Sequence, residues 1–312
     1  MILSASRRTD IPAYYSDWFL HRLQEGFVCV RNPRNPHQIS RISLSPDIVD
    51  CIVFWTKNPM PMMERLDELK SFHYYFQFTL TPYGNDVEPG VPSKRDVVLP
   101  AFRRLSEWIG AEKIIWRYDP ILINEKYSVN YHIHAFQHIA EYLSGKTSRV
   151  TISFIDEHYR GVQINRKELA LIPFPEETRI ELSIQLAQIA QSYGMAIDIC
   201  AESLDLQPYG IGQAHCIDGS LMSKIIGSPL YIEPDKTQRL ACGCAASIDI
   251  GAYNTCRSGC RYCYANYSRS LAEENCSTHD PLSPLLSGEI ADQDKITVRD
   301  VRSLKDRNRS RE

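Results

Sequence analysis

The sequence contains no apolar run long enough to cross a bilayer. Its opening, Met-Ile-Leu-Ser-Ala-Ser-Arg-Arg, lacks the charged-then-apolar order of a secretion leader. These absences argue against a membrane or exported protein, so a cytoplasmic chain with no membrane partner is the expectation. A surplus of basic charge is missing too. Lys and Arg total 35 against 38 Asp and Glu, so the formal charge is −3 and no bulk field favours a phosphate backbone. No stripe of interleaved basic and aromatic residues compensates, and only the short stretch 302–311 is markedly basic. A nucleic-acid partner is therefore a weak expectation. Internal repeats are absent. With 43% hydrophobic and 23% charged residues, the chain reads as globular sequence with ample material for a core.

Cysteine, by contrast, is plentiful. All but two of the ten lie after residue 199, and in a reducing compartment clustered cysteines point to metal ligation more than to disulfides. The two early ones, Cys29 and Cys51, sit in apolar surroundings (FVCV, DCIVFW) and read as inert core thiols.

Short β-branched or aromatic runs recur, each followed by a longer amphipathic stretch, which predicts strand–helix units and a parallel sheet. The strands fall at 2–5, 51–55, 74–80, 113–118, 149–154, 195–199 and 246–250, and the helices at 16–25, 60–69, 95–108, 130–143 and 176–193. The Asn-Pro-rich segment 32–37 reads as a turn in a small hairpin. Residues 1–276 form one domain in this reading. Residues 277–312 form a mixed-charge, peripheral tail. Polar groups follow many of the strands: Arg7, Arg8 and Asp10; Thr56 and Lys57; Thr79; Arg117 and Asp119; Ser153 and Asp156; Cys200 and Glu202; and finally a cysteine loop. Groups spread over many strand ends favour a full or partial (β/α) TIM-like barrel over an open sheet with one switch point.

That loop, Cys256-Arg-Ser-Gly-Cys260-Arg-Tyr-Cys263, places three thiols within eight residues, enough to hold three corners of a 4Fe–4S cluster and leave one iron open. Gly259 lets the backbone curl closely. Two other readings stand beside this one: a ferredoxin-like site completed by Cys244 or Cys276, and a structural zinc knuckle.

The loop resembles the cysteine motif of the radical S-adenosylmethionine superfamily, including Tyr262 before the third cysteine. With Ala252-Tyr253-Asn254-Thr255 it is similar to the cluster loop of spore photoproduct lyase and its relatives. Ile52–Asn58, Phe76–Thr81, Val87–Ser93 and Ile115–Ile121 resemble successive segments of that branch. In those relatives the cluster loop follows the first barrel strand, whereas here it comes last, as a circular permutation would produce. The chain also resembles an uncharacterised bacterial domain-of-unknown-function family with a C-terminal cysteine cluster.

The resemblance implies an enzyme that holds a 4Fe–4S cluster on Cys256, Cys260 and Cys263 and cleaves S-adenosylmethionine reductively. Its substrate is a small molecule or one of unknown class, and its electrons come from a donor such as flavodoxin or ferredoxin. It implies that Lys57, flanked by Thr56, pairs with the methionine carboxylate. Thr79 and Arg117 would bond ribose or carboxylate, and Tyr262 would pack beside the cluster or adenine. Plainer readings are a solvated loop lysine for Lys57 and an ion pair with Asp119 for Arg117. Arg7, Arg8 and Asp10 become candidate substrate contacts, or a charge cluster capping the next helix; Asp156 and Glu202 belong to the same polar rim. Cys200, Cys216, Cys242 and Cys244 are the right number for a second iron–sulfur cluster or a zinc, or are scattered buried thiols. His132, His134 and His138 approximate a helical metal motif but lack its Glu, so helix-surface histidines are expected. A non-catalytic iron–sulfur or zinc protein is the alternative to the enzyme.

Overall fold

The computed structural model describes residues 1–202, 204–238 and 242–305. Strands written as unbroken apolar runs need cover on both faces. Strand β1 (Ile2–Ala5) is buried throughout. A hairpin of β2 (Phe27–Asn32) and β3 (Asn35–Ser43) follows, then β4 (Cys51–Thr56), buried except at Trp55. Next come β5 (Tyr74–Thr79), β6 (Ile114–Ile121), β7 (Arg149–Phe154), β8 (Ala196–Ile199), the two-residue β9 (Gly212–Gln213) and β10 (Ile248–Asp249).

These elements, less the hairpin, form one eight-stranded parallel sheet in the order β10-β1-β4-β5-β6-β7-β8-β9. Every strand after β1 adds on the same side except β10, which pairs with the other edge of β1 (Leu3 opposite Ile248, Ser4 opposite Asp249). From β1 to β9 the winding does not reverse, and only the last connection returns across the sheet. The sheet is consistent with a partial α/β barrel.

One face is covered by α2 (Ser16–Glu25), α4 (Leu99–Ile109), α5 (Val129–Leu143) and α8 (Glu176–Ser192); α1 (Ile11–Tyr14) and α3 (Met60–Met63) are single turns beside them. Trp18, Phe102, Phe136 and Leu186 there meet Leu3, Phe54, Phe76 and Trp116 of the strands. The alternate strand residues, Ile2, Cys51, Val53, Tyr75 and Ile115, face the other way. They meet Cys216, Ile217, Met222 and Cys244 of the segment around a further helix, Gly219–Ile226.

The helix expected over 60–69 is divided, because Arg65 leaves helical backbone angles (φ −119°, ψ 14°) and a 3₁₀ turn, Leu66–Leu69, follows. The expected hairpin is present. Residues 277–305 are built into the fold and not peripheral. The strand Lys295–Val298 pairs with β3, Leu285 and Leu286 are buried, and Ser303 Oγ and the Leu304 amide donate to Asp50 at 2.5 and 2.7 Å. Most of the basic stretch 302–311 lies outside the described residues. Among the described residues no helix is long and apolar enough to cross a membrane.

Candidate functional site

Asp249, at the end of β10, ties the last strand of the sheet to the first. It accepts from Ser4 Oγ and Ser6 Oγ, both at 2.6 Å, and from the Arg7 amide at 2.8 Å. Gly251 follows with no room for a side chain, since a Cβ there would lie 2.1 Å from Ser6 Oγ. Arg7 and Arg8 both reach towards Asp249, Arg7 also towards Asp235, and Arg8 lies over the Tyr253 ring. These arginines therefore join β1 to β10.

The cysteine loop leaves this strand through Asn254, whose backbone is left-handed (φ +52°) and whose side chain accepts from the Tyr267 and Ser268 amides. Gly259 is left-handed as well (φ +59°). Other loops clamp it from two sides. Gly90 donates its amide to Ser258 O at 2.9 Å, Arg261 donates its amide to Val87 O at 3.0 Å, and Asn165 donates to Arg261 O at 2.8 Å. A Cβ on Gly90 would meet Arg257 O at 2.4 Å, and one on Gly161 would meet Cys263 O at 2.1 Å. Only glycine permits these approaches.

Within the loop Cys260 is buried and the other two thiols are half-buried. Burial pushes the Cys256 thiol up to about 12, with Asp10 and Cys263 adding to it, and pushes Cys260 well above the ordinary thiol range, with Lys57 opposing. Cys256 and Cys263 both add to the rise at Cys260. Without a positive group among them they stay protonated.

The positive groups belong to a network centred on the buried Glu88, within the segment Val87–Ser93. Lys57 Nζ donates to Glu88 Oε1 at 2.8 Å, Thr81 Oγ1 donates to it at 2.7 Å, and the Tyr262 hydroxyl and Lys94 Nζ also bond this carboxylate. Burial alone would raise Glu88, but Lys57 and Lys94 carry it down to about 2. Lys57 is thus neither a solvated loop lysine nor free for a ligand. Tyr262 packs beside it, with Nζ 5.5 Å from its ring centroid. Lys94, missed in the sequence, is the more exposed of the two lysines and lines a cleft with Tyr83, Val91 and Ser93.

Asp10 is the N-cap of α1, accepting from the Ala13 amide at 3.0 Å, and its other oxygen takes the Lys57 amide at 2.7 Å. Burial raises it to about 6 against these donors. Its helix-capping reading, not substrate contact, is the one the geometry matches. Thr56 Oγ1 accepts from the Asn58 amide, and Thr79 stands beside Arg117 in the sheet register. Arg117 pairs with Asp119, as its plainer reading held, and donates to Cys216 Sγ at 3.0 Å. Asp156 and Glu202 accept from the His158 and Phe154 amides. His134 and His138 are exposed on α5, but His132 is buried, bonded to the Tyr118 hydroxyl at 2.8 Å and Leu122 O at 2.9 Å, and burial lowers it to about 4. It is a core histidine and not the surface one expected.

The second cysteine set is brought together from three segments. Cys200 Sγ and Cys216 Sγ lie 3.3 Å apart, and Cys216 and Cys244 share one buried cluster with Cys200 and Cys242 packed against it. Cys276 bonds Thr255 O and the Tyr15 hydroxyl. Among the described residues no three His, Cys, Asp or Glu side chains are grouped so as to hold a single metal ion.

An α/β domain with a C-terminal cysteine loop clamped at the ends of its strands is the class defined by this geometry. The chain belongs to the DUF1848 family, a domain of unknown function whose family model matches residues 2–265, from β1 through the cysteine loop. Comparison with curated proteins returns no match.

Proposed function

We propose that this protein is a radical S-adenosylmethionine enzyme built on a partial barrel whose cluster-bearing strand is last in the chain and beside the first in space. The single observation that carries the reading is the setting of the cysteine loop. Three thiols within eight residues lie in a loop clamped by glycines of two other strand–helix connections, with Lys57 beside Cys260. The chemistry of the donor set fits. Three thiols from one short loop are the soft donors that an iron–sulfur cluster takes at three of its corners.

Cys256, Cys260 and Cys263 would hold the 4Fe–4S cluster. When bound, such a cluster supplies the electron that cleaves S-adenosylmethionine to methionine and a deoxyadenosyl radical. The chain's own residues set the electrostatics. Lys57 opposes the burial that raises the Cys260 thiol, while Glu88 adds to it. Lys57, held by Glu88, fixes that carboxylate, and Lys94 is placed to meet an anionic group entering its cleft. Tyr262 closes the network from the loop side and excludes water. Electrons would come from a small donor such as a flavodoxin or ferredoxin.

The test is anaerobic reconstitution with iron and sulfide, followed by iron analysis and measurement of S-adenosylmethionine binding. Cys260→Ala should lose iron from the loop. Lys94→Ala should keep its iron and bind S-adenosylmethionine roughly 10–100-fold more weakly, as expected for one lost charged hydrogen bond. Wild-type iron in the Cys260 variant would overturn the ligand assignment. Unchanged binding by the Lys94 variant would overturn its role.

A further inference from the structure

We propose that Cys200, Cys216, Cys242 and Cys244 form a second metal centre, a four-thiolate site for zinc or an iron–sulfur group, set against the sheet face opposite α2, α4, α5 and α8. The proposal does not rest on the reading of the cysteine loop.

Four cysteines separated by up to 44 positions converge here. Cys200 follows β8, Cys216 follows β9, and Cys242 and Cys244 flank one glycine ahead of β10. Cys200 Sγ and Cys216 Sγ lie 3.3 Å apart, and Cys242 and Cys244 pack in the same cluster with them. Four buried or half-buried thiols gain little from one another, because a thiol is a weak donor and a weak acceptor. Four thiolates around a soft metal satisfy each other through it.

The surroundings are built for such a group. Cys216 is fixed by its backbone, since Tyr75 Oη and Gln77 Nε2 donate to its carbonyl at 2.7 and 2.9 Å, and the Tyr75 hydroxyl takes the Asp218 amide. The Arg117 guanidinium donates to Cys216 Sγ at 3.0 Å from within the sheet. A cation aimed at sulfur suits a thiolate, and hydrogen bonds of this kind tune metal-bound sulfurs. The Cys242–Gly243–Cys244 turn is locked to the same segment, with His215 Nδ1 bonded to Gly243 O at 2.7 Å. A Cβ on Gly243 would fall 2.1 Å from the imidazole of the exposed His215, so a side chain there displaces this contact. Among the described residues these sulfurs are not grouped for a single ion, so loading needs their side chains to rearrange.

The site is tested in the full-length Cys256/Cys260/Cys263→Ala chain, which removes the loop's ligands. It would be purified anaerobically and offered zinc alone or ferrous iron with sulfide. Metal and acid-labile sulfide per chain would be counted, and thiols accessible to alkylation would be titrated. Stoichiometric binding of either metal is expected, with protection of the four thiols and a raised melting temperature; sulfide present or absent tells the two sources apart. Adding Cys216→Ala should abolish binding. Gly243→Ala, which keeps all four thiols, should reduce it severalfold, so that loss of binding does not depend on one core variant's folding. Free thiols with neither metal bound, or recovery of a Cys200–Cys216 disulfide, would overturn the proposal.

Discussion

At the scale of single residues, the most consequential arrangement is Glu88 between Lys57 and Lys94. Its side chain is fully buried and accepts from both lysines as well as from Thr81 and Tyr262. Glu88→Gln removes the only anion from that group and leaves two buried cations facing each other. Breaking a buried ion pair from one side costs on the order of 3–5 kcal/mol, and urea unfolding of the variant at neutral pH should show a loss of that size. His132 gives a pH-dependent counterpart. Burial lowers it to about 4 in the fold, against about 6.5 when unfolded. The unfolded chain therefore binds the extra proton between those values, and stability falls as pH drops from about 6.5 to about 4. Asp10, raised to about 6, contributes with the opposite sign over part of that range. The comparison that isolates His132 is the difference between wild type and His132→Asn, whose stability curve should lack the His132 slope; parallel curves would show that His132 is not neutral in the fold. Lys57 stood out in the sequence because Thr56 and Asn58 flank it at a strand end. Its partner did not, since nothing local to Val87-Glu88-Pro89 tells a buried carboxylate from a solvated one. Only the fold closes the 31 positions between them.

At the scale of elements, the cysteine loop owes its shape to glycines in other loops. Gly161, just inside the Arg160–Ile164 helix, leaves space for the Cys263 carbonyl, and Gly90 leaves space for Arg257 and Ser258. Gly161→Ala should displace Cys263 because the obstructing atom is backbone and cannot swing aside. The expected outcome is a marked drop in iron per chain after reconstitution with the circular dichroism spectrum retained. Iron equal to wild type would show that the loop tolerates the shift. The sequence reveals the cysteine spacing and the turn at Gly259 but not these two glycines, whose function depends on a neighbour about 100 or more positions away. Long elements were legible and short ones less so. The Ser16–Glu25 helix and the Arg149–Phe154 strand stand where periodicity puts them. The Gly219–Ile226 helix, capped by Asp218, spans barely two turns, too few for an apolar stripe to register. It is nonetheless the element that lies over Cys51, Val53 and Tyr75.

At the scale of the whole molecule, the strand pattern made a parallel α/β sheet legible, and the spread of polar groups over many strand ends matches the strand order, unreversed from β1 to β9. The pairing of β10 with β1 sets the cysteine loop against Ser6, Arg7 and Arg8 although some 250 positions separate them. What composition concealed was the ordering of residues 277–305, whose apolar contacts are few and widely spaced: Leu285, Leu286 and Leu304 among polar neighbours. Likewise, the number of the four later cysteines suggested a shared site, but no local spacing places them together; three strand–loop connections do. The central claim is radical chemistry at the cysteine loop, and the most direct measurement is deoxyadenosine formed from S-adenosylmethionine under dithionite by the reconstituted chain. The expected result is deoxyadenosine from the wild type and none from the Cys256/Cys260/Cys263→Ala variant. An iron-loaded wild type that leaves S-adenosylmethionine intact, or equal product from both proteins, would contradict it.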